Sequence, residues 1–228
     1  MLAELLATEG VCELVELRDR RVGFLALHGG SLERLTDVVA RRSALASGSS
    51  FYGVVQPPSF RWHVPSVRFD PAESAKLDAF LAHTGLAISV HGYGRDLLSM
   101  DVDLPPGARS PDLQRCVDTD AFLVGGLNRA AAAVVADVLG EAFPEHPVRD
   151  ELSAIPEHLR GTNARNPVNL TRAAGVQVEI PPDPRGLGPS RRQRVGQLVD
   201  ALRRAAVMLQ QSPGTWNGRP GGQAAQAC

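Results

Sequence analysis

Apolar positions along this chain fall into short runs that alternate with stretches of helical spacing. Val22, Phe24, Leu25 and Leu27 make 20–27 a buried strand, and 35–46 follows as a helix whose first turn carries Thr36 and Asp37. A strand over 50–56 stops at Pro57-Pro58, and 61–69 reads as short extended structure around Pro65. Asp70-Pro71 opens a helix to about His83, with proline at an early position that needs no amide donor. Strands over 86–90 and 121–124 follow, the second ending at Gly125-Gly126, and 127–143 is the clearest helix of the middle of the chain. Val176, Val178 and Ile180 alternate with Gln177 and Glu179, the period of two that marks a strand. Val195, Leu198, Val199, Leu202, Ala206 and Leu209 recur at helical spacing over 190–211. Strands alternating with helices predict a single α/β domain whose chemistry sits in the loops at strand ends. The expected organisation is an N-terminal extension over 1–19, the domain over 20–211 and a disordered tail over 212–228.

Composition narrows the partners. Hydrophobic residues make up 43% and charged residues 21%, the balance of a soluble globular protein. A formal net charge of −1 gives no bulk attraction to nucleic acid or to membranes, so neither is expected as a partner. No apolar run approaches the roughly 20 residues of a membrane span, and the N-terminus has no basic segment followed by an apolar one. Cys12, Cys116 and Cys228 are odd in number and far apart, which suits a reducing cytoplasm rather than a disulfide framework.

Two of the strands end alike. The first delivers His28-Gly29-Gly30-Ser31-Leu32-Glu33, and the strand over 86–90 delivers His91-Gly92-Tyr93-Gly94. Zinc takes imidazole and carboxylate ligands in a tetrahedron, and catalytic sites keep three protein ligands with the fourth position open. His28 and Glu33 on one loop, with His91 from a second strand end, supply such a set, and the glycines let the backbone bend there without a Cβ penalty. A carboxylate nearby would act as general base, and Glu179 is the candidate because it interrupts a buried pattern on a late strand. Spacing alone leaves a second reading open. Each histidine is also compatible with a hydrogen-bonded residue at a strand end, and Glu179 with a solvent-facing residue on an edge strand.

Read together, these segments resemble the phage-type poly-γ-glutamate hydrolase family, zinc amidohydrolases similar to metallocarboxypeptidases. The resemblance runs from about residue 23 to 185. It is carried by His28-Gly-Gly-Ser-Leu-Glu33, Ile88-Ser-Val-His-Gly-Tyr93, Val124-Gly-Gly-Leu-Asn128, and Gly161-Thr-Asn-Ala-Arg-Asn-Pro-Val-Asn169 leading into Gly175–Ile180. It implies a zinc-carboxypeptidase-like fold, a mixed central β-sheet flanked by helices. It also implies Zn2+ as cofactor on His28, Glu33 and His91, and Glu179 as the catalytic glutamate. The implied reaction is hydrolysis of a γ-glutamyl amide, so the expected partner is an acidic peptide or γ-glutamyl substrate. Arg165 is expected to grip a substrate carboxylate bidentately, with the amides of Asn163 and Asn166 completing the clamp and Arg95 polarising the carbonyl.

This chain departs from the family in two places. Where members often continue the first motif with Gly-Thr-Ser-Glu, it has Leu35-Thr36-Asp37-Val38, and Arg68 replaces a family histidine while His63, Phe69 and Asp70 persist. Neither change touches a proposed ligand or the base. The competing readings are a zinc deacylase or carboxypeptidase acting on a small acylated amino acid or peptide, and a catalytically silent binding relative. Oligomeric state leaves no mark in the sequence.

Overall fold

In the computed structural model, which describes residues 1–93 and 120–212, the apolar run expected over 20–27 is the centre of a longer strand, β2 (Asp19–Gly30). Preceding it are α1 (Leu2–Leu6) and β1 (Cys12–Glu16), and following it α2 (Thr36–Ser47), β3 (Ser49–Gln56), α3 (Ala75–His83) and β4 (Leu86–Gly92). The second half contributes β5 (Phe122–Gly125), α4 (Arg129–Ala142), β6 (Val148–Arg149), β7 (Gly175–Ile180) and α5 (Arg191–Gln211). The strands form one seven-stranded sheet in the order β1-β3-β2-β4-β7-β5-β6. β3, β2, β4 and β7 run parallel, whereas β1 is antiparallel to β3 and β5 antiparallel to β7. The fold is thus a single α/β domain on a mixed sheet flanked by helices, as expected.

Helices cover both faces, which is why β4 and β7 are buried along their whole length. On one face α2, α4 and α5 pack Val39, Leu139, Leu198 and Leu202 against Phe24, Ile88, Val90 and Val178. On the other, α1 and α3 pack Leu5, Leu77 and Phe80 against Leu25, Leu27 and Tyr52. Each such side chain, taken fully out of water, contributes about 1.5–3 kcal/mol, so both layers matter to stability.

The first nineteen residues are not an extension but part of the domain. Leu2 and Leu5 are fully buried, and β1 completes the sheet by pairing Cys12–Glu16 with β3. Too few residues carry the pattern in so short a helix and strand to stand out. The helix expected from Asp70 divides in two. Asp70 caps a 3-10 turn over Pro71–Glu73, then Ser74, extended at φ −148, accepts the Leu77 N–H and starts α3 afresh. The tail expected from 212 lies outside the described residues beyond Ser212, the residue that closes α5. Among the described residues no helix is long and apolar enough to cross a membrane.

Candidate functional site

The carboxyl ends of β2, β4 and β7 lie side by side at one edge of the sheet, where open α/β sheets place their chemistry. Strict alternation along β2 would send His28 to the face of Phe24 and Ala26. A bulge prevents this: Ala26 pairs with Gly53 but Gly29 with Val55, so β2 carries one extra residue. Re-aimed, the His28 ring lies against His63, with centroids 4.8 Å apart, and against Phe69 at 5.8 Å. Phe69 belongs to the face of Leu25 and Leu27. Gly30 then turns at φ 75, where a Cβ would overlap the Gln56 backbone, and the Glu33 N–H closes the loop on the His28 carbonyl at 2.8 Å.

Glu33 reaches between the two strand ends. Its Oε1 lies 2.7 Å from His28 Nδ1, and its Oε2 lies 3.3 Å from His91 Nδ1 while accepting the Gly92 N–H at 3.0 Å. The outer nitrogens are engaged as well. His28 Nε2 meets the Val64 carbonyl at 2.9 Å, and His91 Nε2 meets Ser89 Oγ at 2.9 Å. A carbonyl only accepts, so His28 Nε2 carries its hydrogen and Nδ1 is the nitrogen turned to the carboxylate.

Glu179 stands beside His91 in the register of β4 and β7. It is 4% exposed on a strand flanked on both sides, by β4 and β5, so the solvent-facing, edge-strand reading falls away. A short relay orients it. The Val168 N–H donates to Asn166 Oδ1 at 3.3 Å, Asn166 Nδ2 to Gln177 Oε1 at 2.9 Å, and Gln177 Nε2 to Glu179 Oε1 at 2.9 Å. Because the relay begins at a backbone donor, the polarity of both amides is fixed and Glu179 receives an N–H.

The electrostatics follow from this packing. Burial alone would raise the Glu33 carboxyl, but the two imidazoles outweigh it and hold it well below the usual carboxylate range. Burial acts on His91 in the opposite sense to the carboxylates; Glu33, aided by Glu179, prevails and His91 is held up at about 9. Glu179 is pushed up to about 7, chiefly by burial, with His91 pulling down and Glu33 adding to the rise. His63 is pushed below its ordinary value by burial and by His28.

The three donor groups of His28, Glu33 and His91 lie within 4.8 Å of one another. Converging lone pairs on two Nδ1 atoms and a carboxylate repel unless a proton or a cation sits among them. Nitrogen and oxygen donors of this kind suit a divalent transition ion, and outer partners such as the Val64 carbonyl are what orient ligating histidines. The residues therefore fit a metal.

Of the expected substrate clamp, Asn163 and Arg165 are exposed, and Asn163 Oδ1 accepts the Arg165 N–H at 2.9 Å in a local turn. Asn166 requires a correction. It is 3% exposed and committed to Val168 and Gln177, so it supports the Glu179 relay rather than touching substrate. Arg95 lies outside the described residues. The sequence reading missed Ser89, Gln177 and Arg185. Ser89 and Gln177 precede His91 and Glu179 by two on their strands, so alternation alone puts each pair on one face. Arg185, fully buried, donates through Nη2 to the Tyr93 carbonyl at 3.3 Å. Its guanidinium occupies the space a Cβ on Gly92 would need.

Residues 9–102 match the model of a family described as poly-gamma-glutamate hydrolase. The chain is 32% identical over 164 residues to the SPbeta prophage-derived UPF0714 protein YoqZ of Bacillus subtilis (strain 168). That match covers 71% of this chain and 49% of YoqZ, so the chain spans about half the length of this curated relative. Among solved structures, a bacteriophage poly-gamma-glutamate hydrolase superposes with a TM-score of 0.68 at 20% identity, covering 91% of this chain and 94% of that one. A zinc-free, apo structure of YNDL gives 0.59 at 19% identity over 86% and 88% of the two chains. At these identities the structural likeness speaks for the fold.

Proposed function

We propose that this chain, which belongs to the poly-gamma-glutamate hydrolase family through residues 9–102, is a zinc-dependent hydrolase of γ-glutamyl amide bonds. His28, Glu33 and His91 would hold the ion. The observation that carries the reading is the convergence of these donors within 4.8 Å, with Glu179 in register beside His91. Three protein ligands would be the number that catalytic rather than structural zinc sites use. Zinc bound there would supply Lewis-acid chemistry for a substrate carbonyl and a water near neutral pH.

The remaining work belongs to the side chains. Glu179, which burial raises to about 7 in the metal-free protein, is placed beside the proposed ligands to accept and return a proton. As general base it takes a proton from the attacking water, and as general acid it returns that proton to the leaving amine nitrogen. The amide of Gln177 keeps one Glu179 oxygen occupied, so the proton travels on the other. The Val64 and Ser89 partners keep both imidazoles from swinging away. Arg165 and Asn163 stay in the proposal as groups for a substrate carboxylate. Residence in a reducing compartment belongs to the same proposal and rests on the cysteine usage, of which Cys12 is a free thiol.

The deciding assay compares poly-γ-glutamate with α-linked polyglutamate and with acylated amino acids. Zinc-loaded protein is expected to cleave the γ-linked polymer. Glu179→Gln is expected to keep its metal and lose turnover by about 10²–10⁴-fold, the usual worth of general acid–base catalysis. Cleavage confined to the small acylated substrates overturns the polymer reading, and undiminished turnover by Glu179→Gln removes the base.

A further inference from the structure

The loop between the two first-motif ligands also borders a cleft. Gly30 and Ser31, which lie between His28 and Glu33, line a cavity of about 470 Å³ with Arg34, Val55, Pro57, Pro58 and Arg61 among the other walls. Among the described residues its lining includes the two cationic residues Arg34 and Arg61 and no acidic one.

The cleft is also built firmly. The Ser31 N–H donates to the Gln56 carbonyl at 3.2 Å, and Ser31 Oγ to the Phe60 carbonyl at 2.6 Å. Gln56 in turn donates through Nε2 to the Trp62 carbonyl at 2.9 Å and accepts the Trp62 N–H at 2.8 Å. These bonds tie the segment that carries Arg61 to the loop that carries Arg34, and so fix the backbone positions of the two arginines relative to the metal ligands. Val55, Pro57 and Pro58 supply an apolar wall.

We infer that this cleft is a second substrate subsite, which binds carboxylate-bearing chain away from the scissile bond. The inference rests on the proposed γ-glutamyl reading and extends it. A γ-linked glutamyl unit offers a methylene stem and a free carboxylate. The stem matches the valine–proline wall, and the carboxylate matches guanidinium donors, which bind such groups through paired N–H bonds. Gly30 and Ser31 place one wall of the cleft on the loop between His28 and Glu33, so a chain bound at the proposed metal site has this cleft as a neighbour.

Arg34→Gln and Arg61→Gln, singly and together, test the subsite in zinc-loaded protein. Losing one charged hydrogen-bonding group is worth about tenfold or more in affinity. The expected result is an unaltered zinc content and a KM for poly-γ-glutamate raised about tenfold or more in the double variant, with the loss falling on KM rather than kcat. The loss should shrink for a γ-glutamyl dipeptide too short to span both places. An equal loss on polymer and dipeptide, or no change on either, overturns the subsite. Binding of fluorescently labelled poly-γ-glutamate at fixed ionic strength separates this claim from the catalytic one. If wild type turns over no γ-glutamyl substrate, the proposed activity fails, while weaker binding in the double variant still supports the cleft. Equal binding by wild type and double variant contradicts it.

Discussion

Leu35 holds a left-handed backbone at φ 74, immediately before α2. For an L residue with a side chain this costs roughly 1–2 kcal/mol. The strain lies two residues after Glu33. Partial burial of the Leu35 side chain against the α2–α5 layer offsets some of it. Leu35→Gly therefore relieves strain while losing packing, and its stability should stay within about 1 kcal/mol of wild type. Leu35→Ala loses the packing and keeps the strain, so it should be the less stable variant. Alanine ordinarily outranks glycine by roughly 0.5–1 kcal/mol in helical surroundings, so urea unfolding that shows the ordinary ranking would contradict this account. At this scale the sequence was readable where glycine flanked a rare residue type. His28 and His91 stand out by their glycines, Glu33 by its spacing from His28 and Glu179 by interrupting a buried pattern, and the structure brings the first three within 4.8 Å and sets Glu179 in register beside His91. Asn166 was misread because an amide's partner depends on what the fold brings near it, here Gln177. Arg185 was invisible because its place depends on the missing side chain of Gly92.

Between residues and molecule stand the strand ends. The β2 bulge was not legible, since one extra residue leaves the run of Val22, Phe24, Leu25 and Leu27 unchanged, yet it decides which face His28 takes. The register of β4 against β7 was equally hidden, because pairing between distant segments leaves no local pattern. The long helices were legible from their spacing, and α5 fell within a residue of expectation. Two glycines separate packing from propensity. A Cβ on Gly92 overlaps the Arg185 guanidinium, so Gly92→Ala displaces the β4 end from which Glu33 receives its N–H. Forcing atoms into such a packed site costs about 1–3 kcal/mol, and zinc affinity should fall with it. Gly196, inside α5, has nothing within 4 Å of the corresponding position, and Gly196→Ala should stabilise by about 0.5–1 kcal/mol with zinc binding intact. Thermal unfolding with parallel zinc titration checks the pair; a Gly92→Ala variant as stable as wild type would show that the β4 end is not packed as described.

For the whole molecule, the sheet brings two imidazoles and two carboxylates from three strand ends into one buried cluster, and that cluster links metal, protons and stability. His91 rises in the folded, metal-free protein from an ordinary 6.5 to about 9. Its stabilising contribution is fully present below about pH 6.5 and is lost as pH rises through about 9. Glu33 is depressed instead, so its contribution is present above the ordinary carboxylate range and is lost as pH falls through its lowered value. A metal bound at the proposed site would require the unprotonated Nδ1 of His91 and so would compete with the proton that stabilises the metal-free state. Zinc affinity should therefore tighten by up to about tenfold per pH unit on approach to pH 9 and level off beyond it. The most direct measurement is a calorimetric zinc titration of metal-stripped wild type and His91→Ala across this pH range. The account predicts about one zinc per chain, tighter binding and less proton release as pH rises, and binding weakened by at least about tenfold in His91→Ala. A wild type that takes up no zinc, or a His91→Ala variant that binds it as tightly, would contradict the account.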